Sequence, residues 1–564
     1  MDHLPDPLER LATRLEMLER RVAVLEHGSE APGPALLPDA PATQAAQATE
    51  TLPFSQSGSM FSVMGKAMLG IAGAYVLRAV AESSSLPKLV VAAVAIGYAL
   101  MWLVWAVRSK ADEKLASIVY ACTSAMILAP LLWELTLRFK VLDPAATAGV
   151  LSGYVIAAFG LAFKRDHAPV LWVANVTAAV VALGLAVATH DLGPFLGALL
   201  LMVLCGEIAA ACRLELSQRP LVAAITDLGV WGLIFIYSGP AAARAGYPEV
   251  GALKLLAPAC LLFLVYAASI VVKTLVQKRP ISVFETGQTL IAFLLAACTL
   301  LYFAPAAGAP VLAAACLALS AASYTAVFVF FAGEGQGRNY HVFASWSVAL
   351  LLAGSLLCFA PPGLSLFLGA AAIVTTLLGT RLHRTTLQVH GLLYLVAAAI
   401  ASGLPVYTFR ALAGALPASP SWTVFLVCAV AIACYRAAKP AGAEWTQRLL
   451  HLVPAAIAVC GLAALLVQGL LGLLALVLVP DVYHIAFIRT LITCALALLL
   501  AYSGSRWQRT ELNWIAWATL TFVAAKLLFE DLRHGNLVFI AASIFLFAVT
   551  LMAVPRLTRR GQRI

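Results

Sequence analysis

Residues 517 to 533 read WATLTFVAAKLLFEDLR, an apolar run long enough to enter a bilayer that nevertheless carries Lys526, Glu530 and Asp531. Ionisable groups at membrane depth are costly and turn toward protein or water rather than lipid. A helix of this kind makes sense only as one wall of a larger bundle, and its charged residues mark a candidate site.

The rest of the chain supplies the bundle. A hydrophobic content of 62%, a charged content of 11% and a mean hydropathy of +0.93 place nearly all 564 residues in lipid, which leaves no room for a sizeable soluble catalytic domain. About eighteen apolar runs follow residue 59, from 60–80 to 535–555, most of the ~17–25 residues that cross a hydrocarbon core. They lack the alternation of barrel strands, and lipid tolerates no unpaired backbone amide, so each is expected to be a helix. The expected fold is all-α: a polytopic transmembrane helix bundle over 59–555, with a basic cytoplasmic tail at 556–564.

Two segments precede the bundle. Leu8, Leu11, Leu15, Leu18, Val22 and Leu25 alternate spacings of three and four, the pattern of a coiled-coil seam, with Glu16 and Arg20 on its flank. Residues 1–27 are therefore read as a short cytoplasmic coiled-coil helix, and 8–25 as a surface for a homo-oligomer or a partner protein. Residues 28–58 are rich in Ala, Pro, Gln, Ser and Thr, the composition of a disordered linker. No cleavable signal peptide is expected, since the first apolar run lies beyond residue 58.

The net charge of +10 is a topology signal rather than a nucleic-acid footprint. After the N-terminus, Lys and Arg sit in short clusters between apolar runs, roughly 22 in the gaps after even-numbered runs and the tail against about 8 after odd-numbered ones. That asymmetry puts both termini in the cytoplasm, with membrane lipids as the surrounding partner and no nucleic acid. The points where this count is most exposed are the Pro361-Pro362-Gly363 corner and the segment 305–310, either of which re-entrant helices would convert.

Odd-numbered runs then end at the outer face, which places Arg78 and Glu82, Glu134 and Arg138, and Lys526 with Glu530 and Asp531 at one level; the sixteenth run starts there and adds Asp481, His484 and Arg489. Arg78/Glu82 and Glu134/Arg138 are i,i+4 pairs that neutralise each other locally. Lys526 resists that account, because Lys before Glu at i,i+4 is the poorer order and the positive-inside tendency disfavours it there. On the cytoplasmic half, Glu207, Asp227 and Glu285 are single carboxylates without a basic neighbour one turn away, except that Glu207 lies six residues before Arg213. They suit a proton relay or an interhelical hydrogen bond.

Other chemistry is sparse. The eleven cysteines all fall in apolar runs without a CxxC pair or metal-ligand spacing, and His341, His390 and His451 stand isolated from any HExxH or nucleophile-elbow pattern. No cofactor, metal site or catalytic residue is expected, and the reading leans away from an enzyme. Gly149-x-x-x-Gly153 and Gly193-x-x-x-Gly197 have the spacing of close helix contacts, and no strict internal repeat is evident.

Two ends of the chain resemble a known family. Gly65-Lys66, the stretch Gly70 to Arg78, Glu82 and Leu86-Pro87-Lys88 resemble the first hairpin of the bacterial multi-pass proteins grouped as domain of unknown function 2339, and Lys526-Leu527-Leu528-Phe529-Glu530-Asp531-Leu532 before a last apolar helix resembles their C-terminal end. The Arg533-His534-Gly535-Asn536 stretch departs from the pattern. The resemblance implies a multi-pass protein of the bacterial inner membrane and brings no established activity. Three functions are open at this stage: a transporter or envelope-precursor flippase built on the membrane-depth charges, a membrane scaffold working through the coiled coil, and a transferase acting on lipid-linked sugars.

Overall fold

A computed structural model describes residues 54–83, 87–109, 114–163, 168–214, 216–331, 337–416, 419–438, 445–534 and 536–560. The chain divides into two units at Ser62/Val63, and the second holds almost everything described. The coiled coil and linker expected over 1–58 fall outside the described residues except at their very end.

Among the described residues the structure is helical, without a strand. In chain order the helices are α1 (Phe54–Ser83), α2 (Lys88–Arg108), α3 (Lys114–Trp133), α4 (Pro144–Phe163), α5 (Ala168–Thr189), α6 (Leu192–Ala211), α7 (Arg219–Ser238), α8 (Ala252–Val271), α9 (Val283–Phe303) and α10 (Gly308–Thr325). They continue as α11 (Arg338–Cys358), α12 (Pro361–Arg381), α13 (Thr385–Ala401), α14 (Leu404–Ala413), α15 (Trp422–Ala437), α16 (Trp445–Leu474), α17 (Val482–Arg506), α18 (Thr510–Lys526) and α19 (Leu537–Arg560), with one extra turn at Leu532–His534. Among the described residues fifteen helices are long and apolar enough to cross a membrane, which makes this a multi-pass membrane protein.

The expected runs differ from the structure in three places. The run at 385–404 is α13 followed by a 61° bend into α14, with Gly403 left-handed at φ 74, so the break in the chain lies here. At Pro361 and at 304–307, by contrast, full-length helices stand on both sides of a tight corner, and the prolines simply occupy the first turn of α12, where a missing N–H costs nothing. The run at 420–438 contributes only the shorter apolar helix Trp422–Ala437, whereas that at 60–80 lies within the 30-residue α1. The last helix also extends through Arg560, so most of the basic tail is helical.

Packing within the second unit is serial. Successive helices pair, as α2 with α3, α8 with α9 and α12 with α13, and many also touch the next but one, as α3 with α5, α4 with α6 and α6 with α8. Short loops enforce this order. Close approach uses other glycines than the expected ones: a Cβ on Gly149, Gly153 or Gly197 would meet nothing, whereas one on Gly229 or Gly354 would collide with Leu196 or Leu317 of a neighbouring helix.

An internal repeat, not evident from the sequence alone, also emerges. Gly379-Thr-Arg381-Leu-His383-Arg384-Thr385-Thr-Leu387-Gln388 and Gly504-Ser-Arg506-Trp-Gln508-Arg509-Thr510-Glu-Leu512-Asn513 form the same turn. His383 and Gln508 are left-handed at φ 54 and 55, the Arg384 and Arg509 amides donate to the Gly379 and Gly504 carbonyls at 2.9 and 2.8 Å, and each glycine lies against the Gln388 or Asn513 side chain. The helices around the two turns pack alike, α12 on α13 and α15, α17 on α18 and α19.

Among the described residues four helices end in a π turn: Glu134–Arg138 after α3, Val272–Val276 after α8, Ala326–Phe330 after α10 and Leu527–Asp531 after α18. Such wide turns are frequent at functional sites, and three of these carry ionisable side chains.

Candidate functional site

The π turn at Leu527–Asp531 explains how Lys526 survives in an apolar helix. In a regular α-helix a residue faces its i+4 neighbour, and i+5 swings off that face; an i→i+5 turn brings both around. Glu530 and Asp531 therefore reach the same ammonium. Lys526 Nζ lies 3.0 Å from Asp531 Oδ1 and 3.3 Å from Glu530 Oε2, and it also donates to the Ala486 carbonyl at 2.8 Å and the Thr490 hydroxyl at 2.9 Å on α17. Thr490 Oγ1 in turn donates to Asp531 Oδ2 at 2.7 Å, closing the ring.

Arg489, one residue earlier on α17, faces the C-terminus of α14. The last carbonyls of a helix have no partner within it, and the guanidinium supplies one: Nε donates to Ala411 O at 2.8 Å, and Nη2 to Gly414 O at 2.6 Å and Arg410 O at 3.1 Å. Its Nη1 lies 2.5 Å from Glu530 Oε1. Glu530 thus bridges Arg489 and Lys526. Two cations and two carboxylates balance, and only Glu530 is appreciably open, its side chain 20% exposed against 3–4% for the other three. Beside it lies a cavity of about 650 Å³ lined by Arg489, Lys526 and Glu530 together with Val482, Ile485 and Phe522.

The remaining outer-face candidates do not join this quartet. Arg78 of α1 pairs with Glu134 in the π turn after α3, Nη2 to Oε1 at 2.8 Å, and Arg138 stacks 5.5 Å from the Phe139 ring. The Glu82 side chain lies outside what is described. Asp481 and His484 serve the start of α17: the Asp481 amide donates to His484 Nδ1 at 3.2 Å, Tyr483 donates to Asp481 at 2.6 Å, and Phe539 of α19 packs on the His484 ring.

The inner carboxylates are not alone, which corrects the expectation of single acids. Arg219 at the start of α7 holds Glu207 of α6 through both oxygens at 2.8 Å, Ser269 of α8 donates to the same carboxylate at 2.5 Å, and Lys273 in the π turn after α8 holds Glu285 at 2.6 and 2.8 Å. Glu285 also accepts from the Ser282 amide in the capping box that starts α9, and lies 3.7 Å from Arg219. Asp227 accepts from the Gln288 amide at 2.9 Å to each oxygen. The network clamps the ends of four helices. It reads as structural.

His390 is likewise partnered: the Tyr324 hydroxyl lies 2.9 Å from His390 Nδ1 and 2.6 Å from the Tyr394 hydroxyl. His451 stacks edge-on with Tyr435. All eleven thiols are free, and among the described residues no His, Cys, Asp and Glu converge in a group that could hold a metal ion. Thr490, the Ala486 and Ala411 carbonyls and Arg410 were not candidates on the sequence. Only a polar residue at 490, one position after Arg489, hinted at them.

Compared with protein-family models, curated proteins and solved structures, the chain matches none.

Proposed function

We propose that this multi-pass protein is a transporter or lipid flippase that moves an anionic amphiphile, with Glu530 as the exchangeable carboxylate of the Arg489–Glu530–Lys526–Asp531 quartet. The observation that carries the reading is the position of Glu530, bridging two buried cations while forming part of the wall of an open, partly apolar cavity.

Burying an unpaired charge costs several kcal/mol per ion, so a membrane-depth cluster has to stay neutral through each step. A proton taken up on Glu530 cancels its charge, loosens its hold on Arg489 and Lys526 and leaves one net positive charge. A monoanionic headgroup entering from the cavity restores neutrality. Loss of the proton returns Glu530 to the cations and expels the anion, which couples one proton to one anion. Asp531, held by Lys526 and Thr490, stays in place beside the ammonium.

The same reading takes the chain across the membrane eighteen times, with the bent α13–α14 pair as one crossing and α15 and the apolar part of α1 as two more beside the fifteen long helices. Both termini then lie in the cytoplasm of a bacterial cell whose inner membrane holds the protein, and the quartet lies at the outer face, in a member of the domain of unknown function 2339 group that the two ends resemble.

Proteoliposomes with an imposed pH gradient test it, using a fluorescent short-chain phosphatidylglycerol as the probe. Wild type is expected to move the probe between leaflets at a rate set by the gradient, and Glu530→Gln to lose that dependence. Wild-type rates equal to those of protein-free vesicles overturn the reading.

A further inference from the structure

A second cavity, of about 220 Å³, lies between α1, α2 and α3. Its long wall is apolar, formed by Ile71, Ala74, Val91, Ala92, Met126 and Ile127, and at one end three ionisable side chains converge: Arg78 near the end of α1, Lys88 at the start of α2 and Glu134 in the π turn after α3. Local sequence builds it. Gly70 and Gly73 seat α1 directly on α2, where the Tyr98 hydroxyl donates to Gly70 O at 3.1 Å and Trp102 fills the space a side chain would need. From α3 into its π turn the lining residues Met126, Pro130 and Glu134 step by four, and the π turn then carries Phe139, five further on, to the same cavity. Pro130 has no N–H to give the Met126 carbonyl.

We propose that this cavity is a resident phospholipid site, which takes a lipid with a monoanionic phosphodiester headgroup: the phosphate sits between Arg78 and Lys88 and one acyl chain lies along the apolar wall. Charge decides the class of headgroup. Arg78 is matched by Glu134 at 2.8 Å, whereas Lys88 makes no ion pair among the described residues and stands 6.0 Å from the Phe139 ring. Among the described residues the lining therefore carries one net positive charge, which one phosphodiester cancels; a zwitterionic headgroup would bring a second cation against Lys88. Lys88 is also the first residue of α2, so the positive end of that helix dipole lies at the same end of the cavity. The inference does not rest on the exchange reading of Glu530, since the two cavities share no lining residue.

The test uses the delipidated full-length protein in detergent and native mass spectrometry, with phosphatidylglycerol, phosphatidylethanolamine and inorganic phosphate as probes. Phosphatidylglycerol is expected to bind at least ten-fold more tightly than phosphatidylethanolamine, and inorganic phosphate to be lost. Lys88→Gln is expected to weaken phosphatidylglycerol at least ten-fold, Ala92→Phe to block it by filling the wall, and Glu530→Gln to leave it unchanged. Equal affinity in wild type and Lys88→Gln, no preference between the two lipids, or equal retention of inorganic phosphate overturns the proposal. If Ala92→Phe fails to fold, Lys88→Gln, at an exposed position, decides alone.

Discussion

Lys526 and Asp531 stand five residues apart in sequence and 3.0 Å apart in space, both buried, because the helix widens between them. An isolated charge in either position would be untenable. The pair, with Thr490 bridging it, is a unit.

Removing one partner should therefore cost far more than removing both. Lys526→Met is expected to destabilise the folded protein by about 3–5 kcal/mol, the usual penalty for stranding a buried charge, while Lys526→Met with Asp531→Leu recovers most of the loss. Thermal unfolding of the four members of the cycle in one detergent checks this; equal losses in the single and double variants would contradict it.

Arg489→Lys retains the charge and should still release α14. One ammonium cannot serve the Ala411, Gly414 and Arg410 carbonyls and Glu530 together, as the planar guanidinium does. Each charged hydrogen bond lost is worth about 1.5–3 kcal/mol. Amide hydrogen exchange over 404–413 is expected to speed up at least ten-fold, with the rest of the chain unchanged.

At the inner network the acids should differ. Arg219→Ala leaves Glu207 with only the Ser269 hydroxyl donating to it and is expected to cut the yield of folded protein in the membrane severely. Asp227→Asn keeps an oxygen for the Gln288 amide and should be tolerated, with transport unaltered. Loss of transport in a well-folded Asp227→Asn variant would make that carboxylate part of the proton path.

Deleting residues 1–58 distinguishes transport from scaffolding. Gradient-driven probe movement in proteoliposomes is expected to survive the deletion, since none of the quartet or its cavity lies there. Failure of the deletion variant to move the probe, in a folded state, would favour a role that runs through the N-terminal segment.

The apolar runs and the anomaly at Lys526 could be read directly, because helix length and the cost of charge in lipid are properties of short stretches. Arg489 and Glu530 also stood out as charges near the same membrane level. What could not be read was pairing between helices: Arg219 and Lys273 look like ordinary topology charges at helix ends until packing brings them to Glu207 and Glu285. The π turn was equally hidden, since no residue in Leu527–Asp531 demands it; the register shift follows from the contacts that Asp531 gains. Gly149 and Gly153 show the converse, a familiar spacing with nothing pressed against it.

The matching turns at Gly379 and Gly504 give the molecule an internal control. A methyl group placed on Gly379 would meet Gln388 Cγ at 2.7 Å, and one on Gly504 would collide with the Asn513 amide oxygen. Gly379→Ala and Gly504→Ala should thus inflict comparable damage on folding, about 1–3 kcal/mol each, yet only the second sits on the helix pair that carries Lys526 and Arg489. Whatever the second variant loses beyond the first measures how far a fault at one membrane surface travels along α17 and α18 to the opposite end.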